Sequence, residues 1–482
     1  MTSRKPWRSS SQGPHFKKEH FLLVNSYFEN PIMSVSTGSK FRDVATFGFE
    51  VEFLVLFRES GTKFPLRLGS ADCGRPPQQV QEEPYDLSRS SDNDHEVHMK
   101  RLHYFGSEIA KKLTEAGIIT AFQEKGHPKA ETPSLEDREP RLGYFDKFCY
   151  TSYKENSIVP EETMIWTDPT ANGKRMAVRP ETPEGYFWLG FEFVSKVYRY
   201  RDIDISKSDL AIMCRTLRAE YFVSINAGKE SDAASSRCGT HIHWGLSGAE
   251  YDLLTVKRVL TFMWVAEEML MGLHATWRQS ATKYDALLQR GTNMATDNIS
   301  KLPSWTTNLG KGDWIHEMEQ NVPPRVRGSL HCNKPKIQWI WRAETVNDLA
   351  MFVGEAKKSR RASVGITELL PATSSFPGKV RRSQLNTIEF RHMQASLHPT
   401  LIAAWISVTA EIMSLCVDSS PEDFASILED AATYVSDKNS TVQELLNKLR
   451  VSSETCSVFR SFDQQRLNRE ADSRVSMFLP EL

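Results

Sequence analysis

Four segments of the chain combine an apolar, strand-like pattern with charged or imidazole side chains at alternate positions. The first, residues 46–57, is rich in aromatic and β-branched residues and is interrupted only by Glu50 and Glu52. This composition predicts a β-strand. Because strand side chains alternate between faces, the two carboxylates should point to the same side, about 7 Å apart, with apolar residues on the other side.

Three later segments repeat the pattern, each with polar groups in an otherwise aromatic and aliphatic run. They are residues 185–195 with Glu192, residues 237–246 with His241 and His243, and residues 385–392 with Glu389 and Arg391. Spacing of two residues places paired side chains on one face of a strand. We therefore predict one concave, antiparallel sheet that presents the polar side chains of all four segments together.

Helical periodicity lies between and after these strands. The predicted helices are residues 96–117, residues 208–221, a long helix opened by a capping box at residues 247–250, residues 345–355, a helix from Pro399 to residue 416, and two or three amphipathic helices beyond it. Residues 291–335 are irregular and rich in Pro, Gly, Asn and Trp, which indicates a lid or an edge of a pocket.

The fold class predicted from these elements is α+β, with a curved antiparallel sheet flanked by helices. Residues 1–40 are rich in Ser, Lys and Arg and lack periodicity, so we expect a disordered tail. Residues 41–416 should form the main domain. Residues 417–482 should form a C-terminal helical appendage without a site-like motif.

Composition and net charge restrict the classes of partner that the protein could bind and the cellular compartment in which we expect it. The chain of 482 residues has a formal net charge of -1, which gives no overall attraction for nucleic acid or an anionic membrane. It has no run of about 18 apolar residues and no apolar segment behind its basic start. The seven cysteines are scattered without a CxxC motif, which is typical of reduced thiols. We predict a cytoplasmic protein that binds neither nucleic acid nor a membrane.

The paired carboxylates have a physical requirement of their own. Two buried negative charges side by side repel, so Glu50 and Glu52 need a cation. Mg²⁺ meets that need because it prefers hard oxygen ligands together with substrate phosphates. A solvated acidic face, or ordinary pairs with Arg or Lys, would meet it too.

The other two polar pairs also leave alternatives open. His241 and His243 could ligate a metal, donate to phosphate oxygens, or form ordinary hydrogen bonds. Glu389 and Arg391 could simply pair with each other. The sequence has neither GxxxxGK[ST] nor GxGxxG, so bound phosphates would rely on metal ions and cationic side chains. Basic clusters that could serve include Arg361 and the pair Arg381 and Arg382.

The four motifs, in this order, resemble those of the amidoligases of the glutamine synthetase-like carboxylate-amine ligase superfamily. The matching sequences are FGFEVE at residues 47–52, GFEFVS at residues 190–195, CGTHIH at residues 238–243 and TIEFR at residues 387–391. The resemblance spans roughly residues 45–415. It implies an open catalytic funnel built on a curved antiparallel sheet, with residues 41–416 as the catalytic domain. It also implies ATP-dependent amide or peptide bond formation through an acyl-phosphate, releasing ADP and phosphate.

The resemblance also implies roles for individual residues. Five side chains would hold Mg²⁺ ions that bridge ATP to the acceptor carboxylate; they are Glu50, Glu52, Glu192, His241 and Glu389. His243 would contact the nucleotide phosphates. Apart from the resemblance, the basic residues Arg361, Arg381 and Arg382 are further candidates to bind the nucleotide, although both basic clusters could simply be solvated. Arg391 would stabilise the transferring phosphoryl group, acting with Glu389 and Glu50 as the catalytic set.

The implied substrates are a small-molecule or peptide carboxylate and an amine. Asp168, Arg278 and Arg361 stand where the family has polar residues on the substrate side. After the last motif this chain has Gln394-Ala-Ser396 where the family favours an acidic residue and Gly-Thr, a departure that concerns the substrate more than the metal site.

Two other functions fit part of the pattern. The first is a zinc hydrolase in which His241 and His243 are the primary ligands, which predicts tightly bound zinc and no ATP requirement. The second is an inactive relative that serves as a binding or scaffold protein.

Overall fold

The structure is a computed structural model, and its four longest strands coincide with the four polar-patterned segments. It describes residues 41–62, 80–84, 94–123, 156–160, 166–167, 175–176, 185–225, 238–275, 287–295, 313–328, 334–354, 362–369 and 386–462. The strands are β1 (Ala45–Arg58), β2 (Gln81–Glu82), β3 (Thr120–Phe122), β4 (Asn156–Pro160), β5 (Trp166–Thr167), β6 (Arg175–Met176), β7 (Tyr186–Val194), β8 (Tyr198–Arg199), β9 (Val223–Ser224), β10 (Gly239–Leu246), β11 (Val364–Gly365) and β12 (Thr387–Gln394). The tail predicted at residues 1–40 lies outside the described residues.

Helices flank the strands along the described part of the chain. Their bounds are Phe41–Val44, Asp94–Glu115, Ile203–Glu220, Leu253–Leu270, Leu288–Gly291, Trp314–Asn321, Pro324–Gly328, Lys334–Arg342, Val346–Val353, Pro399–Asp418, Pro421–Ser436, Val442–Lys448 and Ser453–Ser461. The Asp94–Glu115 helix ends where predicted, because Gly117 adopts a φ of 106° that terminates the helical path.

Two predicted helix starts are wrong. The long helix begins at Leu253 rather than at the capping box, and its first turn is capped by Asp252, which accepts from the Thr255 N–H at 2.7 Å. Gly248 has a φ of 72°, so the preceding segment is a turn. The helix expected from residue 208 begins at Ile203, directly after a short 3₁₀ turn.

Part of the stretch predicted to be irregular is helical. Within residues 291–335 the structure contains the Trp314–Asn321 and Pro324–Gly328 helices. The first packs an apolar side onto the core through Met318, which is buried. Tertiary packing therefore stabilises helices that the Pro- and Gly-rich composition did not indicate.

The strands form a mixed sheet, which corrects the prediction of a purely antiparallel one. Among the described residues, backbone hydrogen bonds join ten strands into one sheet with the central order β11-β12-β10-β1-β7-β4-β3, and β5 pairs with β6 apart from it. All neighbours from β11 to β4 are antiparallel, whereas β3 pairs with β4 and β2 with β1 in parallel. The fold is thus α+β, and its site-bearing centre is antiparallel as predicted.

One hydrophobic cluster joins the sheet to the surrounding helices. On β1, Phe49, Val51 and Phe53 are fully buried, which confirms the predicted apolar face opposite the two glutamates. The cluster continues through Phe424 and Leu446 of the C-terminal helices. The domain boundary between residues 416 and 417 stays a prediction.

Contrary to the expectation that no apolar stretch of about 18 residues occurs, the Pro399–Asp418 helix has the length and apolar character that a membrane span requires. Among the described helices it alone meets this criterion, with a mean hydropathy of 1.8, and 67% of its apolar stretch is buried inside the protein. Burial of this kind is the property of a core helix. Cys214, Cys416 and Cys456 are buried free thiols, and Cys238 is buried as well.

Candidate metal centre

Four neighbouring strands, in the order β12-β10-β1-β7, bring the predicted polar side chains together. In the strand registers three pairs are directly opposed: Glu50 with His241, Glu52 with Glu192, and His243 with Glu389. Opposed residues of antiparallel strands share a face, with Cβ atoms about 4.5–5.5 Å apart. The alternation read from the sequence therefore places these groups on one face of the sheet.

Glu50 and the two histidines form the middle of the cluster. Nδ1 of His241 lies 3.0 Å from Oε2 of Glu50, and Nε2 of His243 lies 3.3 Å from Oε1 of the same carboxylate. The two imidazoles are nearly inaccessible, with 2% and 4% of their side chains exposed, whereas Glu50 keeps 18%. A ligand can therefore approach the cluster from the side of Glu50.

Glu389 closes the cluster from the other side. Its Oε1 lies 3.5 Å from Nδ1 of His241 and 3.7 Å from Nε2 of His243. The same oxygen accepts a hydrogen bond from Nη1 of Arg391. The Glu389–Arg391 pair that the sequence left as one alternative is therefore present, and it lies within the cluster of Glu50 and the two histidines.

A register shift between β10 and β12 separates the roles of two consecutive residues. The pairing skips one position near His241, so that Arg391 and His392 both lie opposite this residue. Such bulges re-aim side chains and are frequent beside active sites. Here Arg391 bonds Glu389, while Nε2 of His392 lies 3.0 Å from Oε1 of the buried Glu267.

The second acidic pair extends the cluster along β1 and β7. Oε2 of Glu52 accepts a hydrogen bond from the backbone N–H of Gly239 at 2.6 Å, and Glu52 is 7% exposed. Glu192 lies across the strand from it. Glu52 is therefore tied to the start of β10, just before the histidine motif.

The electrostatic environment keeps the two central carboxyls ionised. Burial on its own raises the pKa of Glu50, but the nearby imidazoles of His243 and His241 outweigh it and hold this pKa well below its ordinary value. Burial likewise acts to raise the pKa of Glu389, and Arg391 with the two histidines lowers it overall. Ionised carboxylates are the form that binds cations.

Among the described residues, two overlapping groups have ligand atoms close enough to hold a cation. Within each group the ligand atoms lie within 4.8 Å of one another; the groups are Glu50, His243 and Glu389, and Glu50, Glu192 and His241. Glu50 belongs to both. The donor set of carboxylate oxygens and imidazole nitrogens fits Mg²⁺, Mn²⁺ or Zn²⁺ by chemistry.

The structure places the predicted site residues in two classes. Six residues of the four motifs lie together: Glu50, Glu192, His241, His243, Glu389 and Arg391. His243, expected at the nucleotide, also belongs to one of the possible cation-binding groups, whereas Glu52, predicted as a metal ligand, lies opposite Glu192 and belongs to neither group. The remaining predicted residues lie outside the described part of the chain: Asp168, Arg278, Arg361, Arg381 and Arg382.

Two neighbours of the site were not anticipated. Oγ1 of Thr387 lies 3.2 Å from Nδ1 of His243 and so fixes the ring that faces Glu50. Thr387 is two residues before Glu389, so period-two spacing on β12 could have identified it. Gly365 lies opposite Glu389 on β11, and no sequence signal marks that contact.

Comparison of the chain with models of protein families finds no match, and comparison with curated proteins finds none either. Neither comparison therefore assigns an activity. The functional assignment rests on the sequence motifs and on the geometry of the cluster.

Proposed function

We propose that this protein is an ATP- and Mg²⁺-dependent carboxylate-amine ligase that forms an amide or peptide bond through an acyl-phosphate, releasing ADP and phosphate. One observation carries the proposal: acidic, imidazole and guanidinium groups from four adjacent strands converge on one face, and those strands carry the amidoligase motifs in order. We further propose that the sheet is the glutamine synthetase-like funnel of that superfamily, in a cytoplasmic enzyme acting on neither nucleic acid nor membranes.

The cluster supports this chemistry through its donor atoms. Glu50 and Glu389, with Glu192 and the two histidines, would hold Mg²⁺ and leave room for phosphate oxygens on the exposed side of Glu50. When bound there, Mg²⁺ would neutralise negative charge on the phosphoryl oxygens. Glu52 would complete the acidic surface from β1.

The residues around the metal ligands orient the reacting groups. Arg391 has a side chain only 5% exposed and is held by Glu389, so its guanidinium is preorganised to stabilise the transferring phosphoryl group. Thr387 fixes the ring of His243, which would contact the nucleotide phosphates. The proposed contributions of Arg361, Arg381 and Arg382 to the nucleotide, and of Asp168 and Arg278 to the substrate, stay predictions.

A thermal-shift experiment tests the proposal. ATP with Mg²⁺ should raise the melting temperature of the wild-type protein, because a ligand at ~100 times its dissociation constant adds about 2.7 kcal/mol of stability. The Glu50→Gln variant should lose this shift. Glu319→Gln is the matched control, since Glu319 is half exposed and pairs with Arg327 away from the cluster. Absence of any ATP-Mg²⁺ shift in the wild type would refute the proposal.

A zinc hydrolase is the second candidate, because each imidazole lies beside the Glu50 carboxylate and zinc accepts both kinds of donor. Each possible cation-binding group would supply one imidazole and two carboxylates. It predicts stoichiometric zinc in the purified protein, measured by mass spectrometry, and no response to ATP. An inactive scaffold relative predicts neither zinc nor an ATP response.

A further inference from the structure

A short segment beside the cluster, residues 363–365, runs along the strand that carries Glu389 and Arg391. Gly365 lies directly opposite Glu389 in the pairing of β11 with β12. The backbone N–H of Arg391 donates to the carbonyl of Ser363 at 2.8 Å. We call residues 363–365 the brace, since they contact both residues that close the cluster.

Gly365 approaches the Glu389 side chain more closely than any other residue type could. A Cβ at this position would lie 2.8 Å from Oε2 of Glu389 and 3.2 Å from its Cβ. Gly365 is not among the glycines with positive φ, so its backbone conformation does not by itself require glycine. Glycine is required here because any side chain would collide with Glu389. Because Arg391 holds the other oxygen of Glu389, the carboxylate cannot move aside without disturbing that hydrogen bond.

The brace is anchored from behind by Glu267. Oε1 of Glu267 accepts a hydrogen bond from Oγ of Ser363 and lies 3.0 Å from Nε2 of His392. Oε2 of Glu267 accepts a hydrogen bond from the backbone N–H of Leu288 at 2.6 Å. Glu267 is 1% exposed and Ser363 is fully buried. A buried carboxylate with several donors resists rearrangement, because losing any one of them leaves a polar group unsatisfied.

We propose that the brace positions the Glu389 carboxylate for cation binding. Gly365 has no side chain, so the Glu389 carboxylate can occupy the space beside it. Ser363 is held by Glu267 through its hydroxyl and holds the backbone N–H of Arg391 through its carbonyl. This inference rests on the proposed metal-nucleotide function. Gly365 and Ser363 are positioning residues, since they act through Glu389 and Arg391.

The test measures Mn²⁺ binding, with free Mn²⁺ followed by its electron paramagnetic resonance signal, together with thermal unfolding of each variant. Gly365→Ala should raise the Mn²⁺ dissociation constant by about tenfold or more, the effect typical of losing an outer-shell partner of a metal ligand. Ser363→Ala removes one hydroxyl with little change in volume and should weaken binding in the same direction. The melting temperature of Ser363→Ala should fall, because Glu267 loses one buried donor, but the variant should stay folded at the temperature of the binding assay.

Two matched controls separate positioning from a general loss of stability. Gly328→Ala adds a methyl group that meets nothing within 4 Å. Ser206→Ala removes another buried hydroxyl, which bonds the carbonyl of Ile203 at 2.7 Å on a helix outside the cluster. Both controls should bind Mn²⁺ like the wild type.

The outcomes distinguish the inference from the proposed function. Wild-type Mn²⁺ affinity in folded Gly365→Ala and Ser363→Ala would overturn the inference alone. If Gly365→Ala does not fold, Ser363→Ala decides. A wild-type protein that binds no Mn²⁺ would overturn the proposed function and the inference with it.

Discussion

Replacing Arg258 by methionine should destabilise the protein by detaching the C-terminal helices from the helix that also carries Glu267. Arg258 is 4% exposed. Its Nε donates to Oδ1 of Asn321 at 2.8 Å and its Nη1 to the carbonyl of Ser419 at 2.9 Å, and its guanidinium lies 5.2 Å from the ring of Phe424. Arg258 thus links its own helix to the Trp314–Asn321 and Pro421–Ser436 helices.

The magnitude follows from these contacts. Each charge-assisted hydrogen bond contributes roughly 1.5–3 kcal/mol, and the substitution removes this donor from the buried amide oxygen of Asn321 and from the half-buried carbonyl of Ser419. Burial lowers the pKa of Arg258, which reflects the desolvation cost that methionine avoids. Methionine also recovers some apolar burial. The net expectation is a loss of about 2–4 kcal/mol in the free energy of unfolding.

Urea unfolding followed by circular dichroism measures this loss. Arg460→Met is the matched control, because Arg460 is exposed and its described hydrogen bond goes to the nearby hydroxyl of Ser457. This variant should change the free energy of unfolding by less than about 0.5 kcal/mol. A loss below about 1 kcal/mol for Arg258→Met would refute the claim that Arg258 ties the C-terminal helices to the core.

Two further predictions concern the site and the thiols. Thr387→Val should weaken Mn²⁺ binding by about tenfold, because it removes the hydroxyl that fixes the ring of His243, and Thr387→Ser should restore it; equal Mn²⁺ affinity in the valine variant would contradict this role. Burial raises the pKa of Cys214 to about 12, so the thiol stays protonated and unreactive at neutral and mildly alkaline pH. Iodoacetamide at pH 8 followed by peptide mapping should leave Cys214 unmodified in the folded protein, and rapid modification would contradict its burial.

The face of the sheet that carries the polar cluster could be predicted from the sequence, because side chains two residues apart in a strand point to the same side. Glu50 and Glu52, and His241 and His243, share a face for the same reason. The difference between the two faces also favours one register, since a slip by one residue would turn the glutamates into the hydrophobic cluster and Phe49 toward the polar one. These relations are local, and local relations can be read from one sequence.

Other features could not be predicted, because they depend on approach between distant segments. The contact of Gly365 with Glu389 requires knowing that β11 lies beside β12. The anchorage of Ser363 by Glu267 joins residues far apart in sequence, and both side chains look like ordinary core or helix positions when read alone. The capping box at residues 247–250 failed because the turn at Gly248 competed with it and Asp252 provided the cap.

The most direct test of the central claim is substrate-stimulated ADP release. Purified protein would be incubated with ATP, Mg²⁺ and pooled amino acids or short peptides, with Glu50→Gln as the inactive comparison. A carboxylate-amine ligase should release ADP only when the pool is present, and Glu50→Gln should release none. Lack of both ADP release and ATP-Mg²⁺ binding by the wild-type protein would contradict that claim.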